Sequence, residues 1–331
     1  MKILRKMMLT ILALSVLLTS GITALASGDD SSTDDSSTDT VIDELWGVPF
    51  LAYGASLSAS QLEEIHTIFG LDGLEEGYGF DAVYVDGNDL VYFLGQGNPN
   101  SNMLSSVLIR RREPGTGVEV SILTPDYITR VTATQYATAM ITAGVTDALV
   151  EVAAPSRVTG EAALTGIYKA FAERGVELDE DRMAVAQEQL QIMSGISYYH
   201  SDNEDFDPDV LDQAVLEIQG ELADHYQTTG ELATENEIQD IVAEVLENNS
   251  LDDILTTDQV QRIRGFAGDF QLTDAINSQD FRNQLNNLAD RVGNLIGDLD
   301  INIDRGTLAT WWDNIVNFFS GIIDWIANLF N

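Results

Sequence analysis

The sequence contains no cysteine, and its 331 residues include only three histidines. Without cysteine the chain forms no disulfide and carries no lipid anchor on a cysteine, so its fold rests on the burial of apolar side chains. Neither His200 nor His225 has a second histidine or a cysteine at the three- or four-residue spacing of metal ligands. The sequence also lacks a nucleophile elbow, a zinc-protease helix and a Gly-rich phosphate- or dinucleotide-binding loop. These absences predict no catalytic residues, no metal site and no cofactor.

Positive charge is scarce too, because 16 basic residues face 54 acidic ones, a formal net charge of −38. Three basic residues, Lys2, Arg5 and Lys6, directly precede the apolar run Met7–Leu18. Ala24–Ala26 then has the small-x-small form of a cleavage site, so residues 1–26 are predicted to be a signal peptide. We therefore expect a protein that is secreted or associated with the outer side of the cell envelope.

Cleavage after Ala26 leaves 13 basic residues against the 54 acidic ones, a formal charge of −41, and Lys169 is then the one remaining lysine. Such a field repels nucleic acid and anionic lipid, which excludes both as general partners. It favours cations and basic surfaces, or simply keeps the protein soluble.

Changes in composition divide the rest of the chain into four segments. Residues 27–45 are rich in Asp, Ser and Thr and are predicted to be a disordered acidic linker. Residues 46–175 combine strand and helix patterns, which predicts an α+β domain with a mixed sheet and covering helices. Residues 176–300 are predicted to be a helical domain, and residues 301–331 an amphipathic C-terminal helix rich in aromatic side chains.

The first part of the predicted α+β domain contains several turn and cap signals. Ser58 with Gln61, or Ser60 with Glu63, has the spacing of a capping box at the start of a helix. His66 is expected among the exposed positions of this helix, with nothing nearby to make it a ligand or a base. Residues 82–94 predict two short strands around the turn Asp86–Asp89. Residues 105–123 predict a β-hairpin that turns at a Pro-Gly-Thr-Gly sequence.

The second part of this domain predicts a helix that begins near Thr132 and ends at Gly144, followed by a buried strand over 147–153. A helix over 159–174 carries glycine and alanine on one side, so we expect it to lie close against the sheet. After Gly175 the apolar residues recur at helical spacing. The predicted helices span 179–194, 208–227, 234–248, 257–268 and 278–297.

Three consecutive arginines, Arg110, Arg111 and Arg112, lie in the predicted hairpin of this acidic chain. Strand alternation places Arg111 on one face and the other two on the opposite face. Two interpretations remain open. The arginines contact an anionic group or partner, such as a phosphate-rich wall polymer, or they pair with Glu113 and Glu119 across strands and protect an exposed sheet edge.

Three segments carry a resemblance to a known family: YGASLSASQ (Tyr53–Gln61), the 105–123 hairpin, and AGVTDALVEVAAPSRVTGEAALTGIYKAF (Ala143–Phe171). They resemble the YpuA-like exported proteins of Gram-positive bacteria, the domain-of-unknown-function family numbered 1002. The resemblance extends over residues 48–175 and implies export and the two-part build. It implies no catalytic or binding residue. The acidity of this chain and its Asp/Ser linker depart from that family.

The C-terminal segment 307–330 has an apolar side and a side of Asp and Asn, without any basic residue. Its acidic residues are unfavourable in a membrane span, and the missing cations are unfavourable on an anionic lipid surface. The candidate membrane or partner contacts are Trp311, Trp312, Phe318, Phe319 and Trp325. Docking on the protein's own domains, self-association or partner binding, and insertion into an interface remain open.

Two acidic stretches suggest calcium as a partner, with weak support from the pattern. Asp202–Asp209 is rich in carboxylates, but Asp207 and Pro208 also have the form of a helix start. Asp300–Asp304 alternates oxygen ligands like the start of an EF-hand loop, yet it lacks the glycine and the glutamate that such a loop requires.

We therefore expect an exported, non-enzymatic interaction protein of the cell envelope or the extracellular space. One alternative is a secreted hydrolase that uses paired carboxylates, which requires two acidic residues in one cleft with at least one raised pKa. Another is a calcium-dependent adhesion or assembly module.

Overall fold

The computed structural model describes residues 46–298 apart from Gln96 and Glu161, and in its last helix it leaves out the side chains of Asp290 and residues 293–298. This part of the chain combines a mixed sheet with helices, which confirms the α+β class. Along these residues no helix is both long and apolar enough to cross a membrane.

Several sequence predictions lie outside the described residues. They are the signal peptide (1–26), the acidic linker (27–45), the stretch Asp300–Asp304 and the C-terminal helix with Trp311, Trp312, Phe318, Phe319 and Trp325.

Five strands of the described chain form one sheet: β1 (Phe50–Gly54), β2 (Asp81–Val85), β3 (Ser106–Arg111), β4 (Glu119–Ile122) and β5 (Ala148–Ala153). Their order across the sheet is β2-β1-β3-β5-β4. The pairs β1–β2 and β4–β5 are parallel, whereas β1–β3 and β3–β5 are antiparallel. Each parallel pair is connected through a helix, as parallel strands require. These helices are α1 (Ala59–Ile68) and α3 (Ala133–Thr142).

The other helices are α2 (Gly87–Leu94), α4 (Ala163–Glu173), α5 (Glu180–Tyr199), α6 (Pro208–Thr229), α7 (Glu235–Asn248), α8 (Thr257–Phe270) and α9 (Gln279–Asp298). The helices α5 to α9 begin within one residue of their predicted starts. Side-chain caps explain this agreement, because a local cap marks the first turn in the sequence itself. Of the two candidate capping boxes before α1, the one at Ser58 forms, and the helix start predicted near Thr132 is also a capping box.

The second of the two strands predicted within 82–94 is wrong, because residues 87–94 form α2. Asp86 is its N-cap and accepts hydrogen bonds from the backbone N–H groups of Asn88 and Asp89. The carboxylate of Asp89 accepts a hydrogen bond from the backbone N–H of Asp86, which completes a capping box. Gly95 ends the helix in the left-handed conformation, with φ of 63°. The Asp-Gly-Asn-Asp sequence therefore starts a helix here instead of a hairpin turn.

The predicted hairpin of residues 105–123 is wrong in its pairing, although both strands exist. β5 lies between β3 and β4 and bonds to both of them. β3 is consequently an interior strand, and the arginines at its end do not protect an exposed edge.

The two faces of the sheet are covered by different helices. On one face, Leu51, Tyr53 and Leu108 pack with Ile65 of α1. On the other face, α4 lies so close that a Cβ on Gly166 would be 3.2 Å from Val107 Cγ2. The predicted close packing of this small-residue helix on the sheet is confirmed.

His66 is not the isolated exposed side chain that the sequence suggested. Its Nε2 is hydrogen-bonded to the Tyr53 hydroxyl, and its ring stacks on Tyr53 and meets the edge of Phe80. Tyr84 also stacks on Tyr53, with 5.3 Å between their ring centroids. The strand register brings these rings together across 31 residues of sequence, since Tyr53 and Tyr84 are directly paired in β1 and β2.

A single hydrophobic cluster runs from the sheet into the helices of residues 176–298 and includes residues such as Val107, Tyr168, Leu190, Leu216 and Phe270. Helix α3 packs on both the sheet strand β4 and the helices α5, α6 and α9. The division into domains at residues 175 and 176 remains a prediction.

Candidate ligand-binding cleft

A cleft of about 370 Å³ lies where α2, α4 and α5 meet. Helix α2 supplies one wall, the C-terminal half of α4 and the following turn supply the second, and the first turn of α5 supplies the third. Asp86 caps α2 and Asp179 caps α5, which fixes where these two helical walls begin. The lining residues are Tyr92, Phe93, Leu94, Gly95, Tyr168, Ala172, Val176, Glu177, Leu178, Glu180, Met183 and Ala184.

Aromatic and aliphatic side chains form most of the cleft wall. Tyr92 and Phe93 meet edge to face, with 4.8 Å between their ring centroids and an angle of 87°. Tyr92 leaves 77% of its surface exposed, an unusual amount for a large ring. Val176, Leu178 and Met183 complete the apolar surface. Such a wall offers burial to an apolar ligand and ring faces to a cation.

Tyr168 lines the inner end of the cleft and is fully buried, with 0% of its surface exposed. Its hydroxyl has no hydrogen-bond partner within the described chain. Burial raises the pKa of Tyr168 well above its usual range, so the hydroxyl stays protonated and available as a donor. Buried hydroxyls nearly always have a partner, because leaving one unpaired costs about 1–3 kcal/mol.

Glu177 and Glu180 are the charged residues among those lining the cleft, and both are exposed. Neither has an ion-pair partner within the described residues. The nearby Arg182 is turned away from them, since its guanidinium donates to the carbonyls of Thr142 (2.7 Å) and Ile141 (2.9 Å). The mouth of the cleft is therefore acidic.

The arginine triplet lies elsewhere, at the end of β3, and the three side chains have separate surroundings. Arg110 forms an ion pair with Glu151 of β5. Arg112 pairs with Glu119 at 2.6 Å, as the sequence suggested. Arg111 points to the opposite face, where it donates to the carbonyl of Thr146 and lies 5.4 Å from the centre of the Phe171 ring.

Glu113 is not a partner in the ion pairs of Arg110 or Arg112. The alternative of an anion or partner contact at Arg110, Arg111 and Arg112 stays a prediction. The carboxylates beside Arg110 and Arg112 already supply negative charge there.

Carboxylates with raised pKa values lie outside the cleft. Burial raises the pKa of Asp212 to about 8 and that of Asp224 to about 6. Burial, together with the neighbouring Asp269, also raises the pKa of Glu188. These residues lie on α5 and α6, and none of them lines the cleft. The hydrolase alternative requires a carboxylate with a raised pKa in the cleft, and none of these three carboxylates lies there.

The acidic stretch Asp202–Asp209 ends in a helix start. Asp207 accepts a hydrogen bond from the backbone N–H of Asp209, and Pro208 is the first residue of α6. Across the described ranges no three His, Asp or Glu residues are placed to hold a metal ion. Calcium binding stays a prediction without a site in this part of the chain.

The sequence patterns did not predict the cleft. Its residues are spread over residues 92–184 and come from three helices, one of which was predicted as a strand. The only local signal is Tyr92-Phe93, two adjacent rings on a short helix where one must face outward. The unpartnered hydroxyl of Tyr168 is invisible in sequence, because burial is decided by the packing of α4 against α2 and the sheet.

The same region lies within a match to a known family. The family described as protein of unknown function (DUF1002) matches residues 53–288, which contain most of the sheet, the cleft and most of the helices. The chain belongs to this family.

The similarity to the uncharacterized protein YpuA of Bacillus subtilis (strain 168) is 32% identity over 156 residues. This alignment covers 46% of the present chain and 51% of YpuA, so the chain spans about half the length of this relative. No solved structure is significantly similar to the chain. Neither the family description nor the relative's name states an activity, so the DUF1002 cleft must be interpreted from its own geometry.

Proposed function

We propose that this DUF1002 protein is an exported, non-enzymatic interaction protein that holds a small ligand in the cleft between α2, α4 and α5. The observation that carries the proposal is the buried, unpartnered hydroxyl of Tyr168, a residue that lines the cleft. A bound ligand would supply the missing hydrogen-bond partner. Export is supported by the signal-peptide pattern of residues 1–26.

The cleft has the composition of a binding site. It is concave, and apolar side chains lie beside a few polar groups in its wall, as in small-molecule sites. No His or Ser lines it, and Glu177 and Glu180 are both exposed at its mouth. These features support binding in preference to catalysis.

Binding can be tested with N-phenyl-1-naphthylamine, a neutral apolar dye that fluoresces when it leaves water. We expect one dye molecule to bind each protein molecule. Ala184→Phe should weaken binding by about tenfold or more, because the new ring occupies the space of the ligand. Ala243→Phe on α7 is the matched control, since Ala243 is also an exposed helical alanine and does not line the cleft. Equal dye binding by both variants would contradict the proposal.

Tyr168→Phe separates a ligand role of the hydroxyl from a structural one. The melting temperature of the ligand-free protein should stay the same or rise, because the variant removes a buried hydroxyl that has no partner. A clear fall in melting temperature would show that the hydroxyl stabilises the fold, and would remove the main support for the proposal.

A further inference from the structure

We infer that the cleft binds a small organic cation, whose apolar or aromatic body fills the cleft while its ammonium group lies at the mouth beside Glu177 and Glu180. This inference rests on the proposed ligand-binding function and adds the chemical class of the ligand. It commits to a small molecule because a cleft of about 370 Å³ lies at the lower end of the roughly 300–1,000 Å³ of small-molecule sites.

The charges around the cleft determine the orientation of such a ligand. Positive charge is disfavoured on the Tyr168 side of the cleft, because the positive charge of Arg182 already acts on Tyr168 although Arg182 does not line the cleft. Arg182 is held in place by the carbonyls of Thr142 and Ile141 and by Asp274, whose carboxylate is 3.5 Å away. Positive charge is favoured at the mouth, where the two glutamates lack cationic partners within the described residues.

The aromatic wall adds a second reason for a cation. The exposed Tyr92 ring and its edge-to-face partner Phe93 present ring faces beside the acidic mouth. An organic ammonium group is attracted to such faces and loses less hydration than an inorganic ion does. An aromatic or aliphatic body also gains from burial against Leu178 and Met183.

Two other positive side chains near this part of the fold, Lys169 and Arg174, do not compete for the mouth. Arg174, at the C-terminus of α4, pairs with Asp81 at 2.5 Å and does not line the cleft. Lys169 of α4 donates to Asp89 at 2.7 Å and to the carbonyl of Tyr84 at 2.8 Å. Its ammonium group is therefore held by α2 and β2, and it does not line the cleft.

The test uses three probes that share one body: 4-phenylbutylammonium, 4-phenylbutanol and 4-phenylbutyrate. Each displaces N-phenyl-1-naphthylamine from the full protein in a low-salt buffer at pH 7. We expect the ammonium probe to bind about tenfold more tightly than the carboxylate probe, with the alcohol between them. The difference should shrink at high salt, because the two glutamates are exposed to solvent.

A matched pair of variants distinguishes the cleft from the field of the whole acidic molecule. Glu177→Gln with Glu180→Gln should abolish most of the charge preference. Glu244→Gln with Glu247→Gln removes the same charge from an exposed face of α7 and should leave the preference unchanged. Dye binding itself should persist in both double variants.

The other outcomes distinguish a failure of the cation inference from a failure of the proposed binding function. If the dye binds but the three probes have equal affinity, or if both double variants lose the preference equally, the cation inference is wrong and the binding cleft stands. If neither the dye nor any probe binds, the proposed function is wrong together with the inference.

Discussion

At the scale of single residues, Asp212 on α6 departs clearly from ordinary solution chemistry. It is fully buried and accepts hydrogen bonds from Thr132 Oγ1 at 2.8 Å and from Gln135 Nε2 at 3.1 Å. Burial raises its pKa to about 8, and the nearby Asp209 and Asp207 act in the same direction. The carboxyl group of Asp212 therefore keeps its proton at pH values where an ordinary aspartate is charged.

Stability should consequently fall as the pH rises through the pKa of Asp212. The folded protein holds a proton that the unfolded chain releases above about pH 4, so this contribution is complete below that pH and is lost towards pH 8. The slope should be on the order of 1 kcal/mol per pH unit from this residue. Asp224 and Glu217, whose pKa values are also raised by burial, add to it.

Asp212→Asn tests this assignment, because an amide resembles the protonated acid and keeps hydrogen-bonding groups beside Thr132 and Gln135. Urea unfolding between pH 5 and pH 8 should show a smaller loss of stability for the variant than for the parent protein. Glu244→Gln, an exposed change on α7, is the control and should leave the slope unaltered. Parallel pH profiles for Asp212→Asn and the parent would exclude a protonated Asp212.

The sequence alone could not predict which single polar side chains are buried. Asp212 lies between Leu211 and Gln213 on a helix whose apolar stripe was predicted correctly, but a stripe does not reveal which polar side chain is enclosed. Asp212 is enclosed because the N-terminus of α3 packs against α6. Its hydrogen-bond partner Gln135 is 77 residues away from it in the sequence. The same limit applies to Tyr168, whose burial depends on the packing of α4 against α2 and the sheet.

At the scale of elements, local signals predicted most helices and failed where two turn chemistries overlap. Ser58, Thr132 and Asp207 cap helices as expected. The sequence Asp86–Asp89 suits both a hairpin turn and a capping box, and the capping box forms because α2 then buries Leu94. The strand order was missed for another reason, since the pairing of β5 between β3 and β4 depends on contacts distant in sequence.

The close packing of α4 on the sheet gives a test at this scale. Gly166→Leu should destabilise the fold by about 1–3 kcal/mol, because even a Cβ there would lie 3.2 Å from Val107 Cγ2 and 3.4 Å from Ala52 Cβ. Gly195→Leu on α5 is the matched control. A Cβ on Gly195 meets no atom within 4 Å, so leucine should stabilise that helix by a few tenths of a kcal/mol or more. Equal effects in thermal or urea unfolding would contradict the packing argument.

At the scale of the whole molecule, one hydrophobic cluster replaces the disulfides that this cysteine-free chain cannot form. The cluster reaches from Phe50 in β1 to Val292 in α9. Helix α3 contributes most to this continuity, because nine of its ten residues are buried between the sheet and the helices beyond it. The cleft lies where α2 and α4 of the sheet region meet α5.

Export is the prediction that belongs to the whole chain. Expressed from its full sequence in Bacillus subtilis, the protein should accumulate outside the cytoplasm with Ser27 as its first residue, as measured by mass spectrometry. Ala26→Asp should block processing, because the cleavage site requires a small residue there. Leu25→Gln changes the tolerant middle position and serves as the control. Recovery of unprocessed protein beginning at Met1 inside the cell would contradict export.

The sequence by itself determined what depends on near neighbours and on composition. Caps, helical periodicity and small-residue faces located most elements of the α+β fold, and the absence of cysteine required a fold held by apolar burial. The tertiary structure decided what depends on distant contacts: the interior position of β3, the stacking of Tyr53 on His66, the protonated Asp212 and the cleft beside Tyr168. The physical reason is that burial and pairing are properties of surfaces brought together by folding, whereas a helix start is specified by three or four consecutive residues.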